Sequence, residues 1–215
     1  MKVNIEYLVE NSEMRKCLVE NMKSSRTKYE GTPEISNLGK YRELEYAYIY
    51  EKLSTYKGSI LDIGSEFSFI VPYLQLKGKN ITASELNLGE RALKVLKLYG
   101  IKYQMIDATK IPCQNSSFGC VMACSTVEHI IEDEKAFEEI LRVAKDKVIL
   151  TFPYSYTKYC PHNGHQRIYN KEYLIENYLK PNNIEYKFPE AKEAFYEKPG
   201  THNVMNCIIG LEIIL

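Results

Sequence analysis

The sequence predicts an α/β fold: a doubly wound, mostly parallel sheet of seven strands with a C-terminal antiparallel hairpin and an N-terminal helical extension. Three observations carry this. From residue 59 onward, short apolar runs alternate with segments of helical period. The run at 118–126 is apolar enough to lie in the middle of a sheet covered on both faces. The last two apolar runs, 184–190 and 204–215, have Pro189, Pro199 and Gly200 between them, which suits a long-looped hairpin better than a crossover.

Taken in order, residues 1–38 are polar and mixed, and Met14, Cys17, Leu18 and Met22 fall at helical spacing. A turn-rich link spans 30–40. Over 41–56, Tyr46, Ile49, Tyr50 and Leu53 fall on one helical face, so this helix packs on the main domain. "SILDIG" ends the first strand at Gly64. "FSFIVPYLQLKG" (67–78) is a helix in which Pro72 either sits in the first turn or bends the axis. A strand at 80–86 and an amphipathic helix at 89–100, stopped by Gly100, come next. Strands at 101–107 and 118–126, a helix at 134–146 and a strand at 147–153 complete the alternation. A polar, aromatic loop (154–170) and a short helix (171–179) precede the closing hairpin. The division is an extension or lid at 1–57 and a main domain at 58–215.

Composition narrows the function. The chain has 215 residues, with Lys plus Arg and Asp plus Glu both at 28, so its formal net charge is zero. A protein that lives on a nucleic-acid backbone needs a basic face, so no nucleic-acid partner is expected. No apolar run is long enough for a membrane span, and the N-terminus lacks the apolar core of a signal peptide, which points to the cytoplasm. The six cysteines include no Cys-x-x-Cys pair and read as small buried apolar residues.

Gly64 ends the first strand, where a glycine lets a ligand approach the backbone. About twenty residues later, Glu85 closes the second strand, in place to accept hydrogen bonds from ribose hydroxyls. That pair fits any adenosine cofactor. Asp62 and Glu66 discriminate. A pyrophosphate on this loop would be repelled by Glu66, whereas a cofactor with an ammonium group and no phosphate suits a carboxylate at Asp62.

"ILDIGSEFS" resembles the first motif of the class I S-adenosylmethionine-dependent methyltransferases (type 11-like), hydrophobic-Asp-hydrophobic-Gly-x-Gly-x-Gly. "ITASE", "MIDATKIP", "FGCVMACSTVEHI", "VILTFPY" and "GHQRIYNKEYL" resemble the family's later motifs in the same order, over roughly residues 58–179. Glu66 and Ser68 stand where two glycines are usual, and Gly119 where an Asp is common. The resemblance implies a Rossmann-like domain and S-adenosylmethionine as cofactor. By it, Asp62, Gly64, Ser65 and Glu66 form the cofactor loop. Glu85 holds the ribose, Leu86 packs on adenine, Asp107 and Ala108 meet the adenine edge, and Ser125 contacts the methionyl portion. Glu128 and His129 line or brace the site, with His129 a candidate general base.

Tyr154, His162, His165, Arg167 and Tyr169 are the candidate acceptor contacts, because their loop leaves the end of the fifth strand. The expected acceptor is a small molecule, sugar or lipid-linked intermediate, methylated on oxygen or carbon rather than on a nucleic-acid nitrogen. A homodimer is left open. Cys160, His162 and His165 match no standard zinc spacing, so no metal is expected. Two other readings stand beside this one. The first is a nicotinamide-dependent oxidoreductase, since Tyr154 and Lys158 have Tyr-x-x-x-Lys spacing. The second is a non-catalytic partner subunit with the same fold.

Overall fold

The computed structural model describes residues 1–8, 40–65, 68–156, 158–162, 166–189 and 207–215. The helical spacing at 14–22, Glu66 and His165 lie outside them. Seven strands form one sheet: β1 (Lys2–Tyr7), β2 (Ile60–Ile63), β3 (Ile81–Glu85), β4 (Lys102–Met105), β5 (Phe118–Cys124), β6 (Ala144–Tyr154) and β7 (Cys207–Ile214). Their order is β1-β7-β6-β5-β2-β3-β4. The pairs from β6 through β4 are parallel, and β7 runs antiparallel to both its neighbours.

Strand alternation divides the core into two layers. On one face, Ile60, Cys120, Met122 and Ile149 pack with helices α1 (Lys40–Leu53), α2 (Ile70–Leu76) and α3 (Glu90–Leu98). On the other, Leu61, Ile63, Val121, Val148 and Leu150 pack with α4 (Asp133–Val143) and α5 (Lys171–Leu179), which is π-wound over Leu174–Leu179. Pro72 sits in the first turn of α2, where its missing N–H costs nothing. Asn170 caps α5, its side-chain oxygen accepting from the Tyr173 amide at 2.9 Å.

Two expectations change, and one departure from the motif finds its cause. The seventh strand is not 184–190 but Lys2–Tyr7, within the stretch read as a helical extension. β1 takes the place beside β7, pairing Lys2 to Ile214 through Tyr7 to Ile209. Glu185 is left with a single bridge to Lys2 on the outer side of β1, so no hairpin joins 184–190 to β7. Secondly, α1 is buried on nearly all sides through its middle: Leu44, Glu45, Tyr46, Ala47, Tyr48 and Ile49 are all buried, not one face alone. It lies so close to the sheet that a Cβ on Gly210 of β7 would come within 2.7 Å of the Tyr48 ring. Thirdly, the departure at Gly119 has a local cause. The Tyr56 hydroxyl, donating to Asp146 at 2.6 Å, occupies the space that a side chain there would need.

Candidate active site

The chain runs outward from β2 to β3 and β4, then returns to β5 on the other side of β2. The switch between β2 and β5 brings Gly64 and the turn after Cys124 together. Gly64 has φ +80, and a Cβ there would lie 2.2 Å from Thr126 Cγ2, so only glycine fits. Its amide and that of Ser65 both donate to the Ser84 carbonyl at 2.9 Å. Ser65 Oγ donates to Asp62 Oδ2 at 2.6 Å and accepts from the Ser84 amide at 3.0 Å. Ser84 Oγ donates to the Asp62 carbonyl at 2.7 Å. The first turn is thus cross-braced to β3 through Ser65 and Ser84. Burial, with the nearby charge of Glu85 adding to it, pushes the Asp62 carboxyl up to about 7 against the opposing Ser65 hydrogen bond.

Glu85 ends β3 half-exposed, and its Oε1 accepts from the Leu86 amide at 2.8 Å. The Leu86 side chain beside it stands in solvent. Asp107 follows β4, exposed, accepting from the Thr109 amide and hydroxyl at 2.8 and 2.7 Å, which hold its carboxyl below the usual range. Ala108 is half-buried. Asp62, Glu85 and Asp107 therefore stand at the carboxyl ends of three neighbouring parallel strands. That acidic rim, with Leu86 as an uncovered apolar surface beside it, fits a cationic adenosyl cofactor and would repel a pyrophosphate.

On the β5 side, Ser125 adopts φ +46, uncommon for a non-glycine residue. Its amide donates to the Thr151 carbonyl at 2.9 Å. Its hydroxyl donates to Glu45 Oε1, the same oxygen that accepts from Thr151 Oγ1 at 2.7 Å. Arg42 lies 3.3 Å from the other Glu45 oxygen and donates to the Cys124 carbonyl at 3.3 Å. Neither α1 residue was expected at the site. The signal in the sequence is slight: Arg42 and Glu45 continue the Tyr46–Ile49–Leu53 side of α1 by one turn toward its N-terminus.

Glu128 is buried and its Oε2 has no hydrogen-bond partner. Burial pushes its carboxyl up to about 8. The charge of Glu45 adds to this, while its own backbone amide, Arg42 and the Ser125 hydroxyl act the other way. His129 is exposed, its Nε2 3.9 Å from Glu128 Oε1. His162, half-buried, places Nε2 3.3 Å from the His129 carbonyl, so this part of the loop reaches the same turn.

The other acceptor candidates sit elsewhere. Tyr154, Arg167 and Tyr169 are buried in the layer under α4 and α5 rather than facing an open pocket. Arg167 pairs with Asp133 and donates to the Ile130 and Ile131 carbonyls at 2.7 and 2.8 Å. The Tyr169 and Tyr178 hydroxyls donate to Asp133 at 3.1 and 2.8 Å. A buried arginine needs a paired acid and carbonyls, and Asp133 and the turn before α4 supply them. Tyr154 packs against Tyr7 of β1, ring centroids 5.4 Å apart. Nor do Tyr154 and Lys158 share a helix face: Tyr154 ends β6, and no described residue from 155 to 162 is helical.

A doubly wound sheet with a glycine turn and acidic strand ends at its switch point is an α/β fold of the kind that takes a ligand beyond the carboxyl ends of its strands. Residues 61–152 match the family model described as a methyltransferase domain. Over that segment the chain is similar to a methyltransferase domain.

The structure of a Burkholderia thailandensis 1,6-didemethyltoxoflavin-N1-methyltransferase, bound to 1,6-didemethyltoxoflavin and S-adenosylhomocysteine, is similar over 100% of this chain and 99% of its own. Its TM-score is 0.62 at 10% identity. A possible histamine N-methyltransferase from Thermotoga maritima is similar over 79% of this chain and 87% of its own, with TM-score 0.52 at 14% identity. The [4+2]-cyclase SpnF is similar over 74% and 67%, with TM-score 0.53 at 17% identity. In other matches the chain spans 52% and 65% of the solved structure's length. No curated protein matches the sequence. Among the described residues, no helix is long and apolar enough to cross a membrane.

Proposed function

We propose that the protein transfers a methyl group from S-adenosylmethionine to a small-molecule acceptor, a class that includes sugars and lipid-linked intermediates. The observation that carries this is the acidic rim of Asp62, Glu85 and Asp107 around a turn that admits only glycine. The cofactor supplies a methyl group on a sulfonium, already activated for displacement. The chain's part is alignment. Gly64 and the braced Ser65–Ser84 pair hold the first turn rigid. Glu85 is placed to accept from ribose hydroxyls, Asp107 and the Ala108 amide to meet the adenine edge, and Leu86 to cover a ring face. Ser125, in its left-handed conformation, presents the backbone of the β5 turn to the methionyl end. Glu128, His129 and His162 stand on the acceptor side of that turn. Holding donor and acceptor in line is worth several powers of ten by itself.

The test is a calorimetric titration of the purified protein with S-adenosylhomocysteine, with NAD as control. Saturable binding of S-adenosylhomocysteine alone is expected. Binding of NAD alone would restore the oxidoreductase reading. Silence toward both in folded protein would favour a non-catalytic partner subunit.

A further inference from the structure

We infer that Glu128 is the group that binds and takes the proton of the acceptor, that the acceptor attacks through an N–H or O–H group, and that Glu45 and Arg42 of α1 keep Glu128 available for this. The inference rests on the methyl-transfer reading and narrows it. Its first support is an accounting of protons. Ser125 has one hydroxyl proton, and it points at Glu45. The Thr151 hydroxyl goes to the same oxygen. Arg42 is engaged with Glu45 and the Cys124 carbonyl. Among the described residues, the Ser125, Thr151 and Arg42 donors go to Glu45 or to backbone; the Ser125 hydroxyl also lies beside Glu128, yet Glu128 Oε2 is left buried with no hydrogen bond.

A buried acid without a partner is costly, and a fold keeps one where a ligand completes it. What completes this one brings a hydrogen-bond donor. A carbon nucleophile offers no comparable donor, and a carboxylate acceptor would face like charge once Glu128 has ionised. The elements packed around Glu128 present Arg42 and Glu45 from α1, His129 beside it, and the Tyr169 phenol from below. Arg167 gives it only a backbone contact, its amide donating to the Glu128 carbonyl at 3.0 Å. Arg42 and Glu45 offset each other, so Glu128 is the acid left to receive a proton. His129 is exposed, and its side chain stands outside the buried cluster.

The step balances simply. The acceptor's nitrogen or oxygen forms a bond to the methyl carbon as the sulfur–carbon bond breaks. The sulfur keeps the electron pair and becomes a neutral thioether. With Glu128 ionised, as it is above about pH 8, the acceptor's proton passes to its carboxylate and from there to solvent. Glu128 is then a catalytic residue, whereas Glu45 and Arg42 are positioning residues acting through Ser125.

The experiment has two arms, both on the full chain. In the first, protein labelled with carbon-13 at the glutamate side-chain carboxyl is titrated by NMR. One resonance titrating near pH 8 is expected in the wild type and absent in Glu128→Gln. In Glu45→Gln it should move toward lower pH, because a like charge is lost and the Ser125 proton is freed. A purely structural Glu45 would leave it in place. No glutamate titrating above about pH 6 would overturn the inference.

In the second arm, methyl-labelled S-adenosylmethionine is offered with simple amines, phenols and sugars, and with carboxylic acids and carbon nucleophiles. Transfer to the first group is expected, with kcat falling roughly a hundredfold or more in Glu128→Gln and S-adenosylhomocysteine affinity unchanged. Amines against hydroxyl compounds identify which atom is methylated. Transfer to carboxylic acids or carbon, undiminished kcat in Glu128→Gln, or no transfer to any amine or hydroxyl probe while S-adenosylhomocysteine binds would each overturn it. Absence of S-adenosylhomocysteine binding would instead strike the methyl-transfer reading.

Discussion

Replacing Glu128 by Gln should remove a pH dependence from the stability of the fold. The Glu128 carboxyl is pushed up to about 8 from an ordinary 4.5. An acid raised in this way stays protonated in the folded chain while the unfolded chain ionises. Its contribution is therefore fully favourable below the unfolded value and is lost as pH rises to the folded one. At 1.36 kcal/mol per pH unit, the whole loss is ~5 kcal/mol, and about 2–3 kcal/mol of it falls between about pH 6 and pH 9. Water entry and relaxation reduce such figures, so ~2 kcal/mol is the working expectation. Asp62, raised to about 7, loses stability in the same direction, but it is present in both proteins and cancels in the comparison. The assay is urea unfolding of wild type and Glu128→Gln at both pH values. Wild type should lose ~2 kcal/mol more than the variant on going to high pH. An equal loss in the two proteins would show that Glu128 ionises normally and would refute the reasoning.

Gly64→Ala should cost at least about 1–3 kcal/mol from the left-handed backbone alone, and more from the clash with Thr126, with S-adenosylhomocysteine binding lost by calorimetry. Glu85→Ala should weaken S-adenosylhomocysteine binding by roughly one to two powers of ten with little change in melting temperature, as expected for a charged hydrogen bond worth about 1.5–3 kcal/mol. Asp133→Asn leaves the Arg167 guanidinium buried without its acid. It should cost about 3–5 kcal/mol in urea unfolding while the cofactor titration of the still-folded protein stays near wild type.

Five of the strands and the helices between them were legible because each carries a period of its own. β2 is buried throughout with Asp62 as its one polar residue, β5 is an apolar run, and α3 and α4 alternate faces. β1 was not legible. Val3, Ile5 and Tyr7 alternate with Lys2, Asn4 and Glu6, but the period runs for six residues only and just Val3 and Ile5 are strongly buried. Its partner β7 lies some two hundred residues away, so no local turn announces the pairing. The segment 184–190 shows a comparable pattern but lost the place beside β7 to β1, and strand propensity alone could not decide between them. At the site, the placement of Gly64, Glu85 and Asp107 at or within two residues of a strand end could be read from spacing. Arg167 and Tyr169 read like pocket residues because polar and aromatic side chains in a loop usually face solvent. Only the position of Asp133 on α4 shows where they turn.

Glu45 marks where reading a sequence by residue type gives out. An acid within an aromatic helix reads by type as solvated, although its spacing from Ile49 and Leu53 puts it on their side. α1 is held against β7 by the space at Gly210 and against β6 by packing, so the rotation of the helix is fixed by Tyr48 and Ile49. That rotation carries Glu45 onto Ser125 and Thr151. The acid is tolerated because three donors meet it there. None of the three makes a hydrogen bond to Glu128 Oε2. One carboxyl at the end of β5 is satisfied at the expense of the other, and the N-terminal helix, which has no part in the cofactor loop, decides which one remains open to a ligand.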